Sequence, residues 1–185
     1  MVAVLTGMQT GKAPRRRVVY VLVLIANVAF DVGAALAQPS LPADSRPLTA
    51  VELFTMIKDQ TWQWSEGAGR FFGEGRRFTA FTRGKDGATY GEGRFRLTDS
   101  GRLCLVAVWR NTAGARDATT CFFHKQAEGV IYQRREEGGD WYPFKHTPLR
   151  KTDEYAKFTK EDLVSKEVTE IKAELDAKNS VQKGN

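Results

Sequence analysis

The sequence predicts an all-β fold with flanking helices. The expected body is an antiparallel meander of about eight short strands, curled into a small barrel or a sandwich. A short N-terminal helix precedes it and a charged C-terminal helix follows. Three observations carry this reading. Fifteen of the 20 aromatic residues, including all four tryptophans, fall between Trp62 and Phe144. Glycine-rich turns (EGAG, GEG, GKDG, DSG, NTAG, AEG, EEGG) punctuate the same stretch. The connections are too short for crossovers, so neighbouring strands must run antiparallel.

The chain has 185 residues, enough for one well-buried core and short for two. Its first part has the build of a secretory signal, residues 1–37. Lys12 to Arg17 is basic, Val18 to Phe30 is an apolar run, and Ala35-Leu36-Ala37 offers small residues for cleavage before Gln38. The alternative, an uncleaved anchor, would need about 20 apolar residues. The net charge of +6 owes half its value to this leader, where Lys12, Arg15, Arg16 and Arg17 face only Asp31. The weak remaining charge argues against a nucleic-acid partner. After processing, the expected product is periplasmic or secreted, without a transmembrane segment.

Residues 38–47 read as a proline-rich linker. Residues 48–146 read as the β domain with its leading helix. Thr49 and Glu52 have capping-box spacing. Val51, Leu53, Phe54 and Ile57 form the apolar stripe of a helix over Leu48–Asp59. Strands are expected at Thr61–Ser65, Arg70–Phe72, Arg77–Thr82, Ala88–Thr98, Arg102–Arg110, Thr119–His124, Val130–Arg135 and Trp141–Lys145. Leu103 to Trp109 is apolar on both faces, which suits the most buried strand. Pro143 lacks a ladder donor and places the last strand at an edge.

The cysteines follow from the hairpin. If Arg110 faces Ala115 across the Asn111–Gly114 loop, Cys104 falls directly opposite Cys121, and a disulfide is expected in an exported protein. Redox or metal roles are the rival. Cys121 and His124 supply only one possible ligand pair, which is too few for zinc. No metal or other cofactor is expected.

Residues 147–185 read as a charged, helical tail. Thr159 and Asp162 suit a helix start. Val164, Val168, Ile171 and Leu175 form its apolar stripe, able to dock on the domain, mediate pairing, or fray.

No catalytic motif is present: no G-x-S-x-G elbow, no H-E-x-x-H and no P-loop. His124 and His146 read as structural. Glu136-Glu137 and Asp153-Glu154 read as solvated turns. The positive signal is arginine among aromatics, with ten basic residues against five acids from Glu66 to Arg116. Arginine suits carboxylates and phosphates, and aromatic faces stack on sugars and cations. The candidate ligand-binding residues are therefore Trp62, Trp64, Tyr90, Arg94, Arg96, Trp109, Tyr132 and Trp141. The rival explanation is that the arginines solvate strand faces and discourage edge pairing.

The runs TWQWSEGAGRFF, YGEGRFRLTDSGRLCLVAVWR, TTCFFH, VIYQRRE and GDWYPFKH resemble a family of uncharacterised exported proteobacterial proteins, domain of unknown function 995. Phe95 stands where the family text has Trp. The resemblance spans about Leu48 to His146 and leaves the tail after Arg150 outside. It implies export to the bacterial envelope and one compact domain, and nothing catalytic.

The leading expectation is thus a non-enzymatic, exported binding module of the periplasm, with an anionic glycan or lipid, or an envelope protein, as partner. One alternative is an envelope interaction protein acting through its surface and C-terminal helix. Another is a small hydrolase with an unrecognised carboxylate pair, such as Glu74 with Glu92.

Overall fold

The computed structural model describes residues 41–183. The leader, with Ala35, Ala37 and Gln38, lies outside the described residues. Ten strands and two helices follow one another in the chain. They are β1 (Arg46–Pro47), α1 (Ala50–Ile57), β2 (Gln60–Trp64), β3 (Gly67–Phe72), β4 (Arg77–Gly84), β5 (Gly87–Leu97), β6 (Arg102–Asn111), β7 (Gly114–Ala127), β8 (Val130–Arg135), β9 (Tyr142–His146), β10 (Phe158–Thr159) and α2 (Ser165–Lys183). All strands form one antiparallel sheet in the order β10-β2-β3-β4-β5-β6-β7-β8-β9, with β1 added against β7. As expected, the Pro143 strand is at an edge.

The sheet curls into a half-barrel because its ends meet through aromatic rings rather than ladder bonds. Trp62 on β2 touches Phe122 on β7 at 5.6 Å between centroids, and Phe158 on β10 touches Phe144 on β9 at 5.7 Å. Between β9 and β10 a single helical turn at Glu154–Lys157 sets Tyr155 on both Phe144 and Phe158. Strand alternation puts one set of side chains inside the curl. Phe71, Phe78, Ala80, Phe95, Leu97, Leu103, Ala107 and Phe144 form the core there, together with Leu48, Leu53, Met56 and Ile57.

Helix α1 lies on this concave face. Thr49 and Glu52 form the capping box, and Asp99 in the β5–β6 turn accepts from the Ala50 N–H at 2.9 Å. Leu53, Met56 and Ile57 point inward. Val51, expected on the buried stripe, is 73% exposed. Gly101 closes the β5–β6 turn at φ +78°, where a Cβ would meet the His124 carbonyl oxygen at 2.2 Å. Only glycine fits there.

The convex face of β3–β5 is covered by α2. Asp162 starts this helix by accepting from the N–H groups of Val164 and Ser165. Val164, Val168, Ile171 and Leu175 are all buried, and Val164 and Val168 pack with Ala68, Phe81 and Tyr90. Of the three fates open to this stripe, docking is the one observed. Arg83 on β4 reaches Glu167 and Glu174, and Lys172 reaches Glu92 on β5 at 2.7 Å.

The β6–β7 register is Arg110↔Ala115 through Cys104↔Cys121, and the two cysteines form the disulfide with Cα atoms 4.1 Å apart. The Cys121 carbonyl accepts from Glu136 N–H on the β8 side. Cys104 and Cys121 therefore form a non-hydrogen-bonded pair, the close-approach type in an antiparallel ladder.

Candidate functional site

The eight candidate residues do not form one constellation. Trp62, Trp64 and Trp109 are on the concave face. Trp62 Nε1 donates to Glu154 Oε1 at 2.9 Å and its ring stacks on Phe158. Trp64 joins Phe78 over Gly69, and Trp109 lies over Gly91 in space that a Cβ would fill. Tyr90, Arg94 and Arg96 alternate onto the convex face. Tyr90 packs near α2 between Arg110 and Lys172, Arg94 donates to the Gly75 carbonyl, and Arg96 is exposed. Tyr132 is buried on β8, and Trp141 is flanked by Arg134 and Lys125 at 5.2 and 5.7 Å.

Both histidines hold structural hydrogen bonds. His124 is fully buried. Its Nε2 donates to Gln133 Oε1 at 2.7 Å, and Gln133 Nε2 donates on to the Tyr142 hydroxyl. Burial pushes the His124 pKa down to about 4, against the opposing pull of the Gln133 and Gly101 contacts. The unfolded chain, with an ordinary value near 6.5, binds the extra proton first as the pH falls. The His124 contribution is therefore intact above about pH 6.5 and is lost as the pH drops toward 4. We expect unfolding free energy to fall by about 2 kcal/mol between pH 7 and pH 5 from this group. His124→Gln should flatten that limb in denaturant titrations at the two pH values. An unchanged slope would remove His124 as its source.

The Asp153-Glu154 pair departs from the solvated turn expected of it. Asp153 is buried and accepts from the His146 and Arg150 N–H groups and from His146 Nδ1 at 2.5 Å. Burial works against its charge, but these donors hold the carboxyl below its usual range. The arrangement fixes the turn that carries Tyr155 and Phe158 into the core. Of the carboxylates proposed as a hidden pair, Glu92 bonds Lys172, while Glu74 sits in a short helical turn before β4. One potential metal-ligand cluster occurs among the described residues, Cys104, Cys121 and Glu136. Its sulfurs are bonded to each other, and Glu136 is engaged bidentately by Arg102.

An apolar recess, a groove of about 440 Å³, lies beside α1. Leu48, Val51, Met56, Ile131 and Tyr155 supply its apolar lining, with Glu52, Thr55, Gln126 and Lys145 at its margins. The capping box fixes α1 as one wall, β7 and β8 bring Gln126 and Ile131, and β9 brings Lys145. Tyr155 is anchored by donating from its hydroxyl to the Met56 carbonyl at 2.8 Å, and burial raises its pKa. Glu52 is held ionised, with its pKa lowered to about 2, chiefly by the Arg46 fork and then by the Thr49 N–H. Arg46 also donates to Gln126. Lys145 instead lies over the Tyr155 ring at 4.4 Å and makes no ion pair among the described residues. None of these lining residues was among the eight candidates. The one sequence signal was Val51, an apolar residue on the rim of the α1 stripe.

A second recess of about 450 Å³ lies between α2 and the β6–β7 hairpin, lined by Tyr90, Arg110, Lys172 and Asp176 among others. It is polar, and its Lys172 is already engaged by Glu92.

Fold and groove together define a curled antiparallel half-barrel with two docked helices and an apolar side recess. The model of the family described as Protein of unknown function (DUF995) matches residues 21–164, and the chain belongs to that family. The match runs beyond the Leu48–His146 span of the resemblance and past Arg150, taking in Asp153, Tyr155 and Phe158. No curated protein and no solved structure matches the chain.

Proposed function

We propose that the protein is an exported, non-catalytic binding module that takes a small ligand in the groove between α1 and β7–β9. The carrying observation is the groove itself, apolar in its lining and flanked by one cation with no acid partner among the described residues. Its volume lies within the range of small-molecule sites, about 300–1,000 Å³. Two features support work outside the cytosol, the signal-like leader and the Cys104–Cys121 disulfide. The envelope-partner alternative through α2 loses its apolar stripe, which is spent on docking against the sheet.

Native mass spectrometry of protein extracted from the periplasm of an expressing cell is the test. The expected result is a processed chain beginning at Gln38, oxidised at both cysteines and carrying a small bound species. A chain retained inside the cell with its leader intact would overturn export. A ligand-free chain that no amphiphile or glycan stabilises in thermal shift would overturn the binding reading.

A further inference from the structure

We infer that the ligand class of this groove is a single-chain amphipathic carboxylate, with its head group at Lys145 and its chain over Leu48, Val51, Met56 and Ile131. The inference rests on the groove being the binding site and adds the chemistry of what enters it.

The charges around the groove decide the head group. Glu52 lines it, but both of its oxygens are occupied. Arg46 Nη2 donates to Oε1 at 2.7 Å, while Arg46 Nη1 and the Thr49 N–H donate to Oε2 at 3.0 and 2.8 Å. Arg46 and Glu52 therefore neutralise one another, and Gln126 is taken up by the same arginine. Lys145 alone among the lining residues carries a charge with no partner among the described residues, and its ammonium rests on the Tyr155 ring. The groove thus selects for an anion. A phosphate dianion is normally met by an arginine fork or several donors. Here the only fork is bound to Glu52, so one lysine matches a monoanionic carboxylate.

The lining decides the rest. Apart from its rim it offers aliphatic and thioether carbons and a tyrosine ring, with no ladder of donors for a sugar. Val51 lines the groove and is 73% exposed, apolar surface that a bound chain would cover. The volume of about 440 Å³ is near the lower end for ligand sites, which suits one acyl chain rather than two.

Decanoate, decanol and decyltrimethylammonium, each below its aggregation concentration, are the probes, with affinity read by isothermal calorimetry. Decanoate is expected to bind most tightly. Shortening it to octanoate should weaken binding roughly tenfold or more, since each buried methylene is worth about fourfold. Lys145→Met keeps the stem over Tyr155 and should weaken decanoate about two- to fivefold while leaving decanol unchanged. Thr55→Trp, at an exposed α1 position facing the groove, should abolish binding of all three without altering the melting temperature.

If decanol binds as tightly as decanoate and Lys145→Met changes neither, the carboxylate inference falls while the binding site stands. Preference for decyltrimethylammonium has the same consequence. If no probe binds, the amphiphile inference falls and the groove reading is left to the native mass spectrum and the glycan arm of the thermal shift; if probes bind but binding ignores Thr55→Trp, the groove is not the site and both readings fall.

Discussion

Gly93→Ala is expected to destabilise the protein by about 3 kcal/mol or more, and Gly93→Val to abolish soluble expression. A Cβ built at Gly93 would sit 1.9 Å from the Val106 carbonyl oxygen and 2.6 Å from the Ala107 Cα. Both atoms belong to the β6 backbone. That strand is bonded to β7 along ten paired positions and tied to it by the disulfide, so it cannot withdraw alone. On its other side β5 is held by eight paired positions with β4. Gly91→Ala is the control two residues away. Its Cβ would meet the Trp109 ring at 2.8 Å, a side chain rather than the backbone of a paired strand. The expected loss there is about 1 kcal/mol. Chemical denaturation of the three proteins separates the outcomes, and a Gly93→Ala variant as stable as the parent would overturn the close approach of β5 and β6.

The second large effect concerns the cysteines. Replacing both Cys104 and Cys121 by Ala should cost about 3 kcal/mol, because the bridge closes a short loop, with a sequence separation of 17, in the unfolded chain. The melting temperature should fall by roughly 10 °C for a domain of this size. The parent should drop similarly in reductant, while the double variant should not respond to reductant at all. A double variant melting within about 2 °C of the parent would show that the hairpin ladder alone sets the stability of this region.

The disulfide was legible because hairpin geometry turns sequence counting into register. A four-residue loop and a strict antiparallel ladder leave one partner for Cys104. The capping box and the α2 stripe were legible for a similar reason, since both are local spacings. β7 extends from Gly114, well before the expected Thr119, because Ala115 to Ala118 carry no apolar signal and are paired by β6 instead. The two-residue strands β1 and β10 have no periodicity to detect. Their existence depends on β7 and β2 offering open edges. Asp153 reads as surface in a charged tail and is buried because His146, on a strand edge, meets it. The groove was the least legible feature. Its walls come from α1, β7, β8, β9 and the turn at Tyr155, and no spacing in the chain links them. The arginine and aromatic count pointed to strand faces, where the rings instead fill the curl or carry cations such as Arg134 and Arg77.

The sheet order has a consequence in time. From β2 to β9 every strand is bonded to its neighbour in the chain, so each hairpin closes a short span before the next begins. Such local contacts are reached fastest from a random chain. Among the described strands, only β1 with β7 and β10 with β2 pair distant stretches of chain. These two seams must wait for the meander to exist, so the short outlying strands are laid down last.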